Sequence, residues 1–130
     1  MFKILIVDDS LTARVEVANI LNKTGDFSVL EAADGEQAVE VASQEPDLDM
    51  IVCDYNMPGM DGIATLETIL KDRPTDSVVC VMLTTESSPE LKQRGKAIGV
   101  KGWMFKPLKP EKFIAGLKAL LNKYKYSKVG

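Results

Sequence analysis

Five short runs rich in apolar residues, at positions 3–7, 28–31, 50–53, 77–83 and 99–104, alternate along the chain with segments whose apolar residues recur every three or four positions. The first, third and fourth runs are almost continuously apolar, which predicts strands covered on both faces. The second and fifth are shorter or more mixed in polarity, which suits the edges of a sheet. Strands separated by single helical segments, with no hairpin turn between them, predict a parallel sheet with helices on both sides, an α/β class of fold.

Helix signals fill the gaps between the strands. Ser10 is placed to cap a helix carrying Ala13, Val17, Ile20 and Leu21 on one face. Asp34, with Gln37 three residues on, resembles a capping box ahead of Ala38, Val41 and Ala42. Asp61 starts a third helix with Ile63, Leu66, Ile69 and Leu70. A fourth starts at Ser87 or Ser88 with Pro89 in its first turn, and Gly95 and Gly99 close behind predict that it is short and loosely held. Pro110 opens the last, with Phe113, Leu117, Leu120 and Leu121 as its apolar stripe. The product is a (βα)5 unit that fills the chain, and the last residues, 125–130, are expected to fray.

At 130 residues the chain has the length of one domain, and 45% apolar with 27% charged residues is the composition of a folded globular chain. No apolar run approaches the roughly 18 residues of a membrane span, so a cytoplasmic protein without membrane insertion is expected. Cys53 and Cys80 lie within apolar runs and read as buried, reduced thiols. The chain contains no histidine, which excludes imidazole as a base or metal ligand, and two cysteines are too few for a four-thiolate zinc site. Catalysis or metal binding has to use carboxylates, hydroxyls, lysine and backbone groups.

Charge is divided unevenly. Residues 1–65 hold thirteen acidic and three basic side chains, residues 66–130 six acidic and thirteen basic. An acidic focus near a cation and a separate basic face are implied. No recognition motif accompanies the basic half, so no specific nucleic acid is expected.

In an open parallel sheet the site lies at the carboxyl ends of the strands, next to the point where strand order reverses. Those ends carry Asp8 and Asp9, then Asp54, then Thr84 and Thr85, then Lys106. Taken singly, each has a plain reading: a turn and cap at Asp8-Asp9-Ser10, a turn at Asp54, a solvated loop lysine at Lys106. Their joint occurrence at successive strand ends points instead to one crevice. Three carboxylates there would repel one another without a cation, and an all-oxygen donor set selects a hard one: Mg2+ first, with Mn2+ or Ca2+ behind it.

The chain closely resembles the receiver domains of two-component response regulators, and in particular the single-domain members of the chemotaxis-regulator type. The matching segments are Ile4 to Ser10, Asp54 to Gly62, Met82-Leu83-Thr84 and Lys106-Pro107, and the resemblance covers essentially all of the chain, with the receiver domain expected at 1–124. It implies a flavodoxin-like, doubly wound sheet of order 2-1-3-4-5. It also implies that Asp54 is the phosphoacceptor, that Asp9 ligates Mg2+ directly and Asp8 through water, and that the backbone carbonyl of Asn56 is a further ligand. Mn2+ is the expected substitute metal. Lys106 and Thr84 would each reach a phosphoryl oxygen, Asn56 and Glu86 would influence the attacking water, and the bond before Pro107 would be cis.

The implied donor is a phosphohistidine on a histidine kinase or histidine phosphotransfer protein. The absence of histidine here agrees with a donor on another chain. Thr84, Thr85 and Trp103 occupy the switch positions. Trp103 stands where tyrosine or phenylalanine is more usual, and two readings stay open: a ring that exchanges between buried and exposed positions, and a fixed core or interface residue. The face formed by helix 4, strand 5 and helix 5, with Lys92, Arg94, Lys96, Lys101, Lys109, Lys112 and Lys118 on or near it, would bind an output protein, an acidic segment being the natural complement. With no output module after residue 130, signalling by protein contact is expected, most naturally in chemotaxis or motor control, with a phosphorelay intermediate or phosphate sink as the alternative.

Two other functions share parts of the pattern. An aspartyl-phosphate phosphatase would place a second aspartate two residues beyond the first on strand 1, where this chain has Ser10, and would carry a cap insertion. A flavin-binding module would want a hydroxyl- and glycine-rich loop after strand 1, where two carboxylates would repel the flavin phosphate.

Overall fold

The computed structural model describes residues 1–73 and 77–125. Five strands, β1 (Phe2–Val7), β2 (Phe27–Ala32), β3 (Met50–Cys53), β4 (Val79–Thr84) and β5 (Val100–Phe105), alternate with five helices, α1 (Leu11–Thr24), α2 (Gly35–Ser43), α3 (Gly62–Lys71), α4 (Pro89–Ile98) and α5 (Pro110–Tyr124). All strand pairings are parallel, in the order β2-β1-β3-β4-β5. The three near-continuous apolar runs are the inner strands and the two mixed runs the edges. β3 and β4 are buried at every residue, whereas β2 and β5 alternate with partly exposed positions.

Alternation along the strands divides the interior into two cores. Leu5, Val7, Ile51, Cys53, Cys80 and Met82 face α2, α3 and α4, while Ile4, Ile6, Met50, Val52, Val79 and Val81 face α1 and α5. Leu21, Leu66, Leu117 and Leu121 are fully buried from the helix side, each contributing on the order of 2–3 kcal/mol of transfer free energy. α4 is the exception: its only fully buried residue is Gly95, with Leu91 and Ile98 half-buried beside the core. The thin burial agrees with the loosely held helix expected from its two glycines, but at ten residues α4 is as long as α3 and longer than α2, so it is not short.

The caps form where expected. The side chains of Ser10, Asp34, Asp61 and Ser88 accept the backbone N–H groups of Ala13, Gln37, Ala64 and Leu91. At α2 the box is not reciprocal: Gln37 Oε1 accepts from the amide of Ala33 at 2.6 Å, one residue before the cap. Strand boundaries move by one or two residues. Gly99 is not the start of β5 but the left-handed C-cap of α4, with φ 108°, a conformation glycine adopts without a Cβ penalty. β4 begins at Val79 because its ladder with Met50 starts there, which leaves Ser77 and Val78 outside the strand.

Lys125, expected at the start of a frayed tail, donates to the Ser77 carbonyl at 2.6 Å and lies 3.3 Å from Asp49 Oδ1. The rest of that tail, residues 126–130, lies outside the described residues. Both cysteines are free and buried, and burial pushes the Cys80 thiol up to about 12 and Cys53 well above its usual value. Neither is a thiolate near neutral pH. Among the described residues no helix is long and apolar enough to cross a membrane.

Candidate functional site

The parallel ladders run one residue past the strands, and those extra bonds fix where the charged residues emerge. The amide of Asp8 donates to Ala32 O at 3.2 Å, that of Asp54 to Val7 O at 2.9 Å and that of Lys106 to Thr84 O at 3.0 Å. Side chains at the ends of β1, β3, β4 and β5 are thereby held at one edge of the sheet. Carboxylate oxygens of Asp8, Asp9 and Asp54 all lie within 4.8 Å of one another. Asp8 and Asp54 are buried, and Asp9 is exposed at the mouth.

Each buried carboxylate is oriented by donors. Asp8 Oδ1 accepts the amide of Ser10 at 2.9 Å, and its Oδ2 accepts Lys106 Nζ at 2.7 Å. Asp54 Oδ2 accepts the same ammonium at 3.1 Å, and Oδ1 accepts the amide of Asn56 at 3.3 Å. Two of the three carboxylates thus share a single ammonium. This all-oxygen, net-negative cluster with one exposed member fits a hard divalent cation.

Burial by itself would push the Lys106 ammonium down, but hydrogen bonds to Asp8 and then Asp54, with the attraction of both charges, outweigh it and hold the group above 10.5. A cationic group with a raised folded value stabilises the fold fully below its unfolded value, and that contribution is lost as pH rises through the folded value. The stability gap between the native chain and Lys106→Gln should therefore stay constant from pH 7 to 9 and narrow only above about pH 10.5. Urea midpoints of the two proteins compared across that range check it; a gap that closes near neutrality would contradict the assignment.

A second set of contacts converges on Glu86, in the loop after β4. Its amide donates to Thr84 Oγ1 at 3.3 Å. Its carboxylate accepts Asn56 Nδ2 at 2.9 Å, and its carbonyl accepts Trp103 Nε1 at 2.9 Å. The half-buried Trp103 ring packs on the α4-side core and over Gly95, where an added Cβ would stand 3.1 Å from Cζ3. The indole spans β5, α4 and the β4–α4 loop.

Asp8, Asp9, Asp54 and Lys106 therefore meet as the strand ends predict, and Asn56 joins them through its amide. Thr84 is fully buried and turned to Glu86, while Thr85 is exposed. The Lys106–Pro107 bond is cis. Arg14, which no sequence pattern singles out, donates from Nη1 to the Asp8 carbonyl at 2.8 Å and from Nε to Glu31 at 3.2 Å. Its position on the first turn of α1 is the only cue, and a polar residue there reads as solvated surface.

Comparison with known proteins identifies the fold and the family. Residues 4–118 match the family of the response regulator receiver domain. A probable chemotaxis protein CheY from Rhizobium etli is 32% identical over 123 residues, covering 95% of each chain. Chemotaxis response regulator CheY4 of Vibrio cholerae superposes with a TM-score of 0.84 at 40% identity, over 93% of this chain and 99% of that one. The CheY chain of a CheX-CheY-BeF3-Mg2+ complex from Borrelia burgdorferi gives a TM-score of 0.84 at 30% identity, over 92% and 89%.

Proposed function

The chain belongs to the response regulator receiver family, and from that membership we propose that it is a phosphorylation-switched signalling protein whose phosphoacceptor is Asp54. The donor is a phosphohistidine on a histidine kinase or a histidine phosphotransfer protein. The observation that carries the reading is the cluster of Asp8, Asp9 and Asp54 within 4.8 Å, with Lys106 Nζ reaching two of the three.

In the proposed transfer a carboxylate oxygen of Asp54 attacks phosphorus, the P–N bond to the donor imidazole breaks, and the imidazole nitrogen keeps the bonding pair. Hydrolysis later breaks the bond between phosphorus and the Asp54 oxygen and restores the carboxylate. Asp8, Asp9, Asp54 and the carbonyl of Asn56 would hold Mg2+, with Mn2+ as substitute, and the metal's contribution is to offset the charge of carboxylate and phosphoryl group. Lys106 is placed as a second, fixed cation. Asn56 and Glu86, joined at 2.9 Å, are the pair that would influence the attacking water.

Switching follows from what Thr84 must give up. To reach a phosphoryl oxygen its hydroxyl turns away from the Glu86 amide, and the loop that carries Glu86 also holds the Trp103 indole and the Asn56 side chain. A two-state shift of that loop, with Thr85 moving alongside, therefore reaches the α4–β5–α5 face. A groove on this face is lined by Lys92, Lys96, Lys101, Val100, Trp103 and Tyr124. Three ammonium groups over an apolar floor suit an acidic, partly apolar segment of an output protein. The relatives named as chemotaxis proteins make chemotaxis the favoured setting, and two buried free thiols suit a cytoplasmic one.

The test is intact-protein mass after incubation with a small acyl phosphate. A gain of one phosphoryl group with Mg2+, and none with the metal chelated, is expected; no gain under conditions that load another receiver would defeat the reading. For the output face, affinity for the partner should fall as salt rises, because the lysines are exposed or half-exposed. A binding constant that stays flat from low to high salt would remove the acidic segment from consideration.

A further inference from the structure

We propose that Arg14 is a positioning residue for the metal-binding carboxylates, acting through the peptide bond that joins Asp8 to Asp9. The inference rests on the metal site proposed above. Arg14 belongs to the first turn of α1, yet its side chain is only 14% exposed. Burying a guanidinium is costly unless its donors are used, and here two of them are. Nη1 donates to the Asp8 carbonyl at 2.8 Å, and Nε donates at 3.2 Å to Glu31, on the neighbouring strand β2.

The Asp8 carbonyl is where the chain leaves the sheet. The β1–β2 register ends at Val7 and Ala32, and the Asp8 amide makes the last ladder bond, to Ala32 O. The next carbonyl lies beyond the strand pairing, and Arg14 supplies its donor. That carbonyl belongs to the peptide plane from which the Asp9 backbone departs, so its direction sets where Asp9 starts. Adjacent residues in extended chain point to opposite sides. Bringing both carboxylates within 4.8 Å of Asp54 therefore requires one particular turn of this plane. The Asp8 side chain is separately pinned by Ser10 and Lys106, whereas Asp9 is exposed and its aim depends on the backbone.

The choice of residues fits that task. A guanidinium presents donors in a fixed fork, so the Glu31 contact fixes the direction in which Nη1 points, which a single ammonium does not do. Glu31 also offsets the positive charge of the arm, so the fork holds the loop with little net repulsion of an incoming cation.

Geometry and charge make opposite predictions, which gives the test its force. If Arg14 acted only as a nearby positive charge, removing it would tighten cation binding. If it positions the loop, removing it weakens binding. The probe is Mn2+ alone, followed by loss of the free-ion electron paramagnetic resonance signal, with thermal midpoints confirming that each variant is folded. Arg14→Gln should weaken Mn2+ binding about tenfold, the scale on which outer partners of metal ligands act. Arg14→Lys keeps the charge but not the fork and should weaken binding in the same direction. Unchanged or tighter binding in Arg14→Gln, or native affinity in Arg14→Lys, would overturn the proposal. Asp9→Asn serves as the control: if it binds Mn2+ as well as the native chain, the metal site itself is misassigned and the positioning role falls with it, a result distinct from failure of the Arg14 variants alone.

Discussion

Asp54→Asn should take up no phosphoryl group from an acyl phosphate, and it should do so in a protein at least as stable as the native chain. Asparagine has the shape of aspartate, but its amide oxygen lacks the charge that attacks phosphorus, so the mass gain disappears. The stability side follows from the crowding of charge. Asp54 shares a 4.8 Å cluster with Asp8 and Asp9 and is held by Lys106 at 3.1 Å. With an effective dielectric of about 20, the two repulsions cost roughly 3 kcal/mol each and the one attraction gains about 5. Lys106 keeps its shorter bond to Asp8, at 2.7 Å. A gain on the order of 1 kcal/mol is therefore expected in metal-free buffer, read from urea midpoints, and it should vanish when Mg2+ is supplied to the native chain. Phosphoryl uptake by the variant would place the acceptor elsewhere. A clear loss of stability would show that the bond to Lys106 outweighs the crowding.

Gly62→Ala is expected to be the most damaging single methyl group in the molecule. Gly62 opens α3 and donates its amide to Tyr55 O at 2.9 Å, which seats the helix directly on the segment that carries Asp54. A Cβ at this position would overlap the Asp54 carbonyl oxygen and stand 2.8 Å from Tyr55 Cα. Both neighbours are backbone, so no side-chain rotation relieves the overlap. Alanine's better helix propensity returns about 1 kcal/mol. Overpacking costs on the order of 3 kcal/mol when the backbone has to move. A net loss of about 2 kcal/mol or more is expected, with phosphoryl uptake slowed at least tenfold because the nucleophile is displaced along with its strand end. Urea unfolding and the initial rate of mass gain measure the two effects. A variant that matched the native chain in both would show that α3 shifts freely and does not seat Asp54.

Most of the fold and the charged centre were legible in the sequence because both are written in side-chain identity. A short, β-branched apolar run such as Val79 to Leu83, set between helical patterns, reads as a covered strand, and an aspartate directly after Val7 or Cys53 then falls at a strand end. Mixed polarity marked β2 and β5 as edges for the same reason. What escaped depended on backbone groups, which are the same at every residue. Arg14 binds the carbonyl of Asp8, and Trp103 binds the carbonyl of Glu86. Trp103 could be flagged as a departure from the usual aromatic, but its partner could not be read. Gly99 shows the same limit: it reads equally well as a strand start or a helix cap, and only the left-handed turn that ends α4 decides between them.

The bond between Lys106 and Asp8 joins residues 98 positions apart, the longest sequence separation among the hydrogen bonds described above. A chain emerging from the ribosome completes β1 and β3, with all three aspartates, well before residue 106 is made. Until residue 106 is made, the chain lacks the ammonium that pairs with Asp8 and Asp54. Closing so distant a contact carries the entropy of a very large loop, so the last strand has to be in place before the charge is balanced. The charge balance of the acidic cluster is thus tied to β5, the last strand of the sheet to be made, and a substitution that weakens β5 loosens the ammonium held between Asp8 and Asp54.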